Sequence, residues 1–183
     1  VSTTALDTLR AQYAVPLYGV VEPAARAAAH RPKNGKVGLI GTQATIRSGA
    51  YERALDALRP GTQVTARACP LFVPLVENGR FHSGDIVVET VVKEYLEEVK
   101  AQGVDTLMLG CTHYPLLREV IGACMGPEVE LVDVGAECAR WVMGQLSGRD
   151  QLAPQDRKGS HRYFVSDSTG DLSLIHISEP TRH

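Results

Sequence analysis

The stretch Thr106-Leu107-Met108-Leu109-Gly110-Cys111-Thr112-His113-Tyr114-Pro115-Leu116-Leu117 decides the fold of this chain. Residues 106–110 form an apolar run with the length of a short buried strand. Residues 115–125 have the spacing of a helix, with proline near its first turn. Cys111 is therefore predicted where a strand ends and a helix begins. Open α/β sheets bind their ligands at this position.

The surroundings of Cys111 favour a chemical role for its thiol. The N–H groups at a helix start and the neighbouring His113 would both stabilise a thiolate. The alternative is a small buried cysteine in a turn, since free cysteine is among the most buried residue types. Because Gly110, Thr112 and His113 all flank the thiol at a strand end, we favour the chemical role.

Strand and helix patterns alternate along the rest of the chain. The predicted strands are residues 17–21, 37–41, 63–68, 106–110, 130–134 and 162–166. The predicted helices are residues 4–13, 24–29, 46–58, 85–100, 115–125 and 135–146. This alternation predicts an α/β fold, with a parallel sheet covered by helices.

Composition excludes several classes of function. The 183 residues carry a net charge of −2 and no run of Lys or Arg, so nothing indicates nucleic acid or a membrane surface as a partner. No apolar run approaches the roughly 20 residues of a membrane-spanning helix, and the first residues lack a signal-peptide pattern. The four cysteines have no Cys-x-x-Cys spacing, so we predict no metal site. A chain of this length needs no disulfides, and we expect a cytoplasmic protein.

Four segments resemble, in the same order, motifs of glutamate racemases in the cofactor-independent aspartate/glutamate racemase family. They are Gly19-Val20-Val21-Glu22-Pro23-Ala24, Val37-Gly38-Leu39-Ile40-Gly41-Thr42-Gln43-Ala44-Thr45-Ile46, Cys69-Pro70-Leu71-Phe72-Val73-Pro74-Leu75-Val76-Glu77 and the Gly110–Leu117 run. The resemblance extends over residues 1–167. It implies two similar α/β domains with parallel sheets covered by helices, and an active site between them.

The resemblance also implies a division of the chain. Residues 1–16 would be a remnant of the first domain, residues 17–110 the second domain, and residues 111–171 the return to the first, which is incomplete in this chain. Residues 172–183 resemble a translated sequencing adaptor, so we expect a non-native tail rather than a genuine terminal strand. The family's first catalytic cysteine would lie upstream of Val1.

The family's reaction removes the Cα proton on one face of an amino acid and returns a proton on the other. Two acid/base groups on opposite faces achieve this without a cofactor, and thiolates are suitable bases. By resemblance, Cys111 is one of the two cysteines. The implied activity is interconversion of L- and D-glutamate for peptidoglycan synthesis, and the 183 residues alone are expected to be inactive.

His113 and Glu77 are the other candidate catalytic residues. His113 could hold Cys111 as thiolate or assist proton transfer to the substrate amine, or it could merely bond the backbone at a helix start. Glu77 matches the family's acidic residue and could orient His113. Because Asn78-Gly79 follows it, Glu77 could equally be a solvated turn carboxylate.

Thr42, Thr45, Thr112 and again His113 are the candidate substrate-binding residues. Thr42 and Thr45 follow a predicted strand and begin a helix, where hydroxyl and N–H groups suit a carboxylate. Thr45 could instead be only a helix N-cap. Thr112 could donate its N–H and hydroxyl groups to the same ligand.

Other functions stay open at this stage. The chain could belong to a racemase of aspartate or of another amino acid, or it could bind a small carboxylate without catalysis. A thiol hydrolase is disfavoured because the sequence offers no evident triad partner. A small-molecule amino acid is the expected partner, no cofactor is expected, and a homodimer is left open.

Overall fold

The computed structural model describes residues 5–31, 33–154, 156–157, 159–160 and 162. Its elements, in chain order, are α1 (Leu6–Gln12), α2 (Val21–His30), β1 (Lys36–Gly41), α3 (Gln43–Ser48), α4 (Ala50–Leu58), β2 (Gln63–Ala68), α5 (Phe72–Glu77), α6 (Ile86–Ala101), β3 (Thr106–Leu109), a 3₁₀ turn (Tyr114–Leu117), α7 (Arg118–Met125), β4 (Glu130–Asp133) and α8 (Val134–Ser147).

The four strands form one parallel sheet in the order β2-β1-β3-β4. The predicted parallel, helix-covered α/β sheet is therefore confirmed. Gly41 pairs with Ala68, Ile40 with Leu109, and Leu109 with Asp133. The carboxyl ends of all four strands therefore meet at one edge of the sheet, and this edge carries the candidate site.

Apolar side chains cover both faces of the sheet. Leu107 and Leu109 of β3 pack with α5, α6 and α7 on one face. Met108 packs with α2 and α4 on the other, together with Leu39 of β1. All four residues of β3 are buried. This continuous burial fits a central strand of a parallel sheet, whose residues alternate between two covered faces.

Several element boundaries differ from the sequence prediction. Residues 17–21 do not form a strand, because α2 begins at Val21 and Pro23 lies in its first turn, where a missing N–H is tolerated. The helix predicted over residues 46–58 is two helices, because Gly49 adopts a left-handed conformation (φ +58°) between α3 and α4. Helix α5 was not predicted.

Two further boundaries shift at the strand ends. The run predicted as a helix over residues 115–125 begins as the 3₁₀ turn and continues as α7. Val134 begins α8 instead of ending β4, because the Asp133 carboxylate accepts the N–H groups of Gly135 and Ala136 and caps the helix.

The sheet continues past Cys111, where a domain boundary was expected. β4 follows Cys111 in the chain and pairs with β3 along its whole length. Residues 130–133 therefore share one sheet with β1, β2 and β3, and the division into residues 1–16, 17–110 and 111–171 stays a prediction. The predicted strand 162–166, apart from Arg162, and the expected tail 172–183 lie outside the described residues.

Within the described part of the chain, none of the helices is both long enough and apolar enough to cross a membrane.

Candidate functional site

The ends of β1 and β3 approach each other closely at the carboxyl edge of the sheet. The Gly110 N–H donates to the Ile40 carbonyl at 2.8 Å, which extends the strand pairing by one residue. A Cβ atom at position 110 would lie 2.7 Å from that same carbonyl oxygen. Only glycine permits this approach, and the chain then turns away from the sheet at Cys111.

Residues 111–114, here called the Cys111 turn, wrap backbone N–H groups around the sulfur. The nearby N–H groups of Thr112, His113 and Tyr114 and the Thr112 hydroxyl act to lower the pKa of the Cys111 thiol. Burial is the larger effect, however, and it raises the pKa of the thiol above its usual value. The N–H groups at the turn therefore act in the expected direction, but burial, which the sequence did not indicate, outweighs them.

His113 lies between the Cys111 thiol and the Glu77 carboxylate. Its Nδ1 is 3.7 Å from Cys111 Sγ and 3.3 Å from Thr112 Oγ1, and its Nε2 is 3.3 Å from Glu77 Oε1. A carboxylate can only accept, so we assign the imidazole hydrogen to Nε2. In this tautomer, Nδ1 is an acceptor for the thiol or the Thr112 hydroxyl.

Glu77 reaches His113 from the last residue of α5. Its side chain is 44% exposed, whereas that of His113 is 14% exposed. The helix ends there because Gly79 takes a positive φ of 73° and donates its N–H to the Val76 carbonyl. The sequence left open whether Glu77 orients His113 or is a solvated turn carboxylate. In the structure, its carboxylate is partly solvated and also contacts His113.

Thr42 and Thr45 lie at the same edge, at the start of α3. The Thr42 hydroxyl accepts the Thr45 N–H at 3.2 Å, and the two hydroxyl oxygens are 3.1 Å apart. The N-cap is thus Thr42, and not Thr45 as considered from the sequence. A Cβ atom on Gly110 would lie 3.6 Å from Thr45 Cγ2, so Thr45 sits beside the start of the Cys111 turn.

Two buried tyrosines near the site were not singled out from the sequence. Tyr51 of α4 is fully buried, and its pKa is raised to about 12, first by burial and then by the nearby Cys138 and Cys111 thiols. Tyr114 is also fully buried, and its hydroxyl donates to the Cys69 carbonyl at 2.9 Å. Tyr114 belongs to the motif that contains Cys111, whereas no sequence signal indicates Tyr51.

Burial acts on the thiols of the other three cysteines in the same direction as on Cys111. Burial raises the pKa of Cys69 to about 12, and this thiol is fully buried. Burial also raises the pKa values of Cys124 and Cys138. The Cys69 thiol donates to the Arg67 carbonyl and the Cys138 thiol donates to the Gly19 carbonyl, both at 3.8 Å. The Cys111 thiol, in contrast, lies next to the imidazole of His113.

The sequence of the chain matches the model of the Asp/Glu/hydantoin racemase family over residues 1–140. The chain belongs to this family. It is 48% identical over 166 residues to a glutamate racemase of Geobacter metallireducens, an alignment that covers 91% of this chain and 61% of that protein.

Solved structures of the racemase family have the same fold. A crystal structure of a glutamate racemase from Bacillus anthracis superimposes with a TM-score of 0.86 at 36% identity, over 95% of this chain and 65% of that one. A Francisella tularensis glutamate racemase in complex with D-glutamate gives a TM-score of 0.81 at 27% identity, over the same shares. The chain thus spans somewhat less than two thirds of the length of these relatives.

Proposed function

We propose that the protein to which this chain belongs interconverts L- and D-glutamate without a cofactor. The observation that carries the proposal is the Cys111–His113–Glu77 series of contacts at the carboxyl edge of the sheet. A thiol, an imidazole and a carboxylate in this order can deliver and accept a proton at one face of a substrate. Glutamate is proposed because the related proteins are glutamate racemases.

In the proposed mechanism, His113 and Glu77 prepare the Cys111 thiolate. The S–H proton passes to His113 Nδ1, and the Glu77 carboxylate stabilises the resulting imidazolium through its Nε2–H bond. The thiolate, held by the N–H groups of the Cys111 turn, then removes the Cα proton of the substrate. The proton acceptor His113 and the Glu77 carboxylate both offset the free energy needed to ionise the Cys111 thiol, whose pKa is raised by burial.

Stereochemistry requires a second acid/base group on the opposite face of Cα. We propose that this group is a cysteine outside these 183 residues, and that this chain alone does not turn over substrate. In the reverse direction the same residues act with exchanged roles, so that the Cys111 thiol donates a proton to Cα.

The substrate carboxylate is assigned to Thr42, Thr45 and Thr112. Thr42 and Thr45 follow β1, and Thr112 lies in the Cys111 turn after β3, so the three hydroxyl groups are all at the carboxyl edge of the sheet, and each hydroxyl can donate to an anion. The Francisella relative, with D-glutamate bound, supports an amino-acid ligand for this family. We further propose a cytoplasmic enzyme that supplies D-glutamate for peptidoglycan, with a homodimer left open.

Isotope exchange tests the proposal. The complete protein is incubated with L-glutamate in deuterated water, with no pyridoxal phosphate added, and in parallel with L-aspartate. We expect deuterium at Cα and loss of optical rotation with glutamate alone. Exchange with aspartate alone would indicate that aspartate, and not glutamate, is the substrate. Exchange with neither amino acid would refute a racemase in favour of a carboxylate-binding protein.

The 183-residue chain supplies the second arm of this experiment. If the 183-residue chain contains only one of the two bases, we expect it to show no turnover per folded molecule, even where calorimetry detects glutamate binding. Turnover equal to that of the complete protein would contradict the two-base assignment of Cys111.

A further inference from the structure

Tyr114 connects the two elements that carry the candidate catalytic groups. Tyr114 ends the Cys111 turn, and its N–H donates to the Cys111 carbonyl at 3.2 Å. Its hydroxyl donates to the carbonyl of Cys69, a residue 45 positions earlier in the chain. Cys69 lies just before α5, and Glu77 is the last residue of α5. The hydroxyl therefore joins the turn that carries His113 to the segment that carries Glu77.

A ring contact reinforces this connection. The ring of Tyr114 meets the ring of Phe72, the first residue of α5, edge to face with the ring centroids 5.1 Å apart. Both side chains are fully buried, so the contact is shielded from water. The Cys69 N–H donates to the Gly41 carbonyl at 3.0 Å, which fixes the acceptor segment to the end of β1. Tyr114 thus packs against a segment that is itself anchored to the sheet.

The catalytic contacts themselves are weaker than these anchors. The His113–Glu77 and Cys111–His113 distances of 3.3 and 3.7 Å are long, and Glu77 is substantially solvated. Such long contacts depend on the backbone placement of both partners.

We propose that Tyr114 is a positioning residue, whose hydroxyl holds the Cys111 turn and α5 at the spacing that lets Glu77 reach His113. This inference rests on the proposed function of Cys111 and His113. Loss of the hydroxyl frees the turn from α5, so the carboxylate no longer orients the imidazole and the N–H groups no longer face the sulfur as closely. Both changes make ionisation of Cys111 less favourable.

A test of this proposal must separate a change in geometry from a change in the charged and titratable groups near Cys111. His113 and Tyr114 lie on its own turn, Glu77 approaches through His113 from α5, and Tyr51 approaches from α4. Tyr114→Phe alters none of the charges at neutral pH. A change in the ionisation of Cys111 in this variant therefore reports geometry.

The test uses the complete protein and the pH dependence of Cys111 alkylation by iodoacetamide, followed by peptide mapping. Each rate is divided by its plateau rate at high pH, so that altered access to the thiol cancels. For Tyr114→Phe, we expect the curve to move to higher pH, with roughly threefold slower normalised alkylation below the midpoint. Turnover should fall by about tenfold, since small misplacements at a reacting centre are costly.

Thr106→Val is the matched control. It also removes a buried hydroxyl, which bonds Asp105 Oδ1 at 3.1 Å, but at the opposite end of β3 from Cys111. Its normalised alkylation curve should superimpose on that of the unmodified protein. A Tyr114→Phe curve that also superimposes would overturn the inference.

A second variant covers the case in which Tyr114→Phe does not fold. Phe72→Leu keeps the hydroxyl and removes the ring contact, and a smaller shift to higher pH is expected. A shift as large as that expected for Tyr114→Phe would assign the spacing to the ring contact instead of the hydroxyl and would contradict the inference. Because alkylation does not require turnover, a protein that labels as expected but shows no isotope exchange would refute the proposed function and leave the positioning of Cys111 by Tyr114 supported.

Discussion

The turns that follow β1 and β3 lie side by side at the same edge of the sheet, but they are stabilised in different ways. The turn after β1 is local, because the Thr42 side chain caps α3 and accepts an N–H three residues later. The Cys111 turn has no side-chain cap on its following 3₁₀ turn. It is held instead by contacts to residues 36 and 45 positions earlier, Glu77 and Cys69.

This difference has a chemical meaning. A side-chain cap uses the first N–H groups of a helix, whereas an uncapped start leaves those groups available. In the Cys111 turn, the N–H groups of Thr112 and His113, which precede the 3₁₀ turn, lower the pKa of the Cys111 thiol. The turn after β1 is thus a self-contained scaffold, whereas the Cys111 turn relies on distant anchors and places backbone N–H groups near the thiol.

The largest expected effect comes from removing the thiol itself. Cys111→Ala in the complete protein should lower kcat by about 10³-fold or more, because general acid–base groups typically contribute 10²–10⁴-fold. Circular dichroism should remain unchanged, since the side chain is only partly buried. Cys124→Ala is the control, and equal loss in both variants would contradict a special role for Cys111.

The next largest effect tests the close approach of the two strand ends. Gly110→Ala places a Cβ atom 2.7 Å from the Ile40 carbonyl oxygen, a backbone atom of the sheet that cannot easily move aside. We expect a loss of about 1–3 kcal/mol in the free energy of unfolding, measured by urea denaturation. Gly144→Ala in α8, where a Cβ meets nothing within 4 Å, should instead be neutral or stabilising. Equal tolerance at both positions would show that the edge can widen freely.

A smaller effect is expected at the carboxylate. Glu77→Gln keeps the shape of the side chain but removes the charge that is proposed to stabilise His113 during proton transfer, so kcat should fall by about tenfold with little change in KM. Glu98→Gln, which disrupts an exposed ion pair with Arg67, is the control and should keep full activity. A change in KM alone would assign Glu77 to substrate binding.

The smallest effect concerns the locally capped turn. Thr42→Ala removes the N-cap of α3 and should destabilise the protein by about 1 kcal/mol, while Thr42→Ser should recover most of this loss. Both values follow from denaturation midpoints. If Thr42→Ala shifted the pH dependence of Cys111 alkylation as strongly as Tyr114→Phe, the two turns would not be independent, and the contrast drawn above would be wrong.

The sequence predicted those features that depend on local pattern. Strands β1 and β3 are mainly apolar runs, β2 alternates polar and apolar residues, and α6 has a regular helical period. Their predicted bounds agree with the structure within one or two residues. The motif around Cys111 also indicated where the site would lie. The parallel order of the strands then brings the ends of β1 and β3 together.

The features that the sequence did not predict depend on opposing physical effects, on very short elements, or on contacts between residues far apart in the chain. Burial outweighs the N–H groups at Cys111, and no local pattern reports how deeply a turn is covered. Helix α5 has only six residues and contains Pro74, so its period is too short to recognise. The Tyr114–Cys69 bond joins residues 45 positions apart, and only the fold brings them together.

The central position of β3 has a consequence for local unfolding. Its amides lie between β1 and β4 and under two apolar layers, so their hydrogen exchange should require opening of the whole sheet. Helix α5, one and a half turns long and ending in a solvated residue, should exchange far sooner. The Cys111 thiol would then follow the slowest-exchanging strand, whereas Glu77 would end one of the fastest-exchanging helices. Binding of a ligand should therefore be detected first as slower hydrogen exchange in residues 72–77.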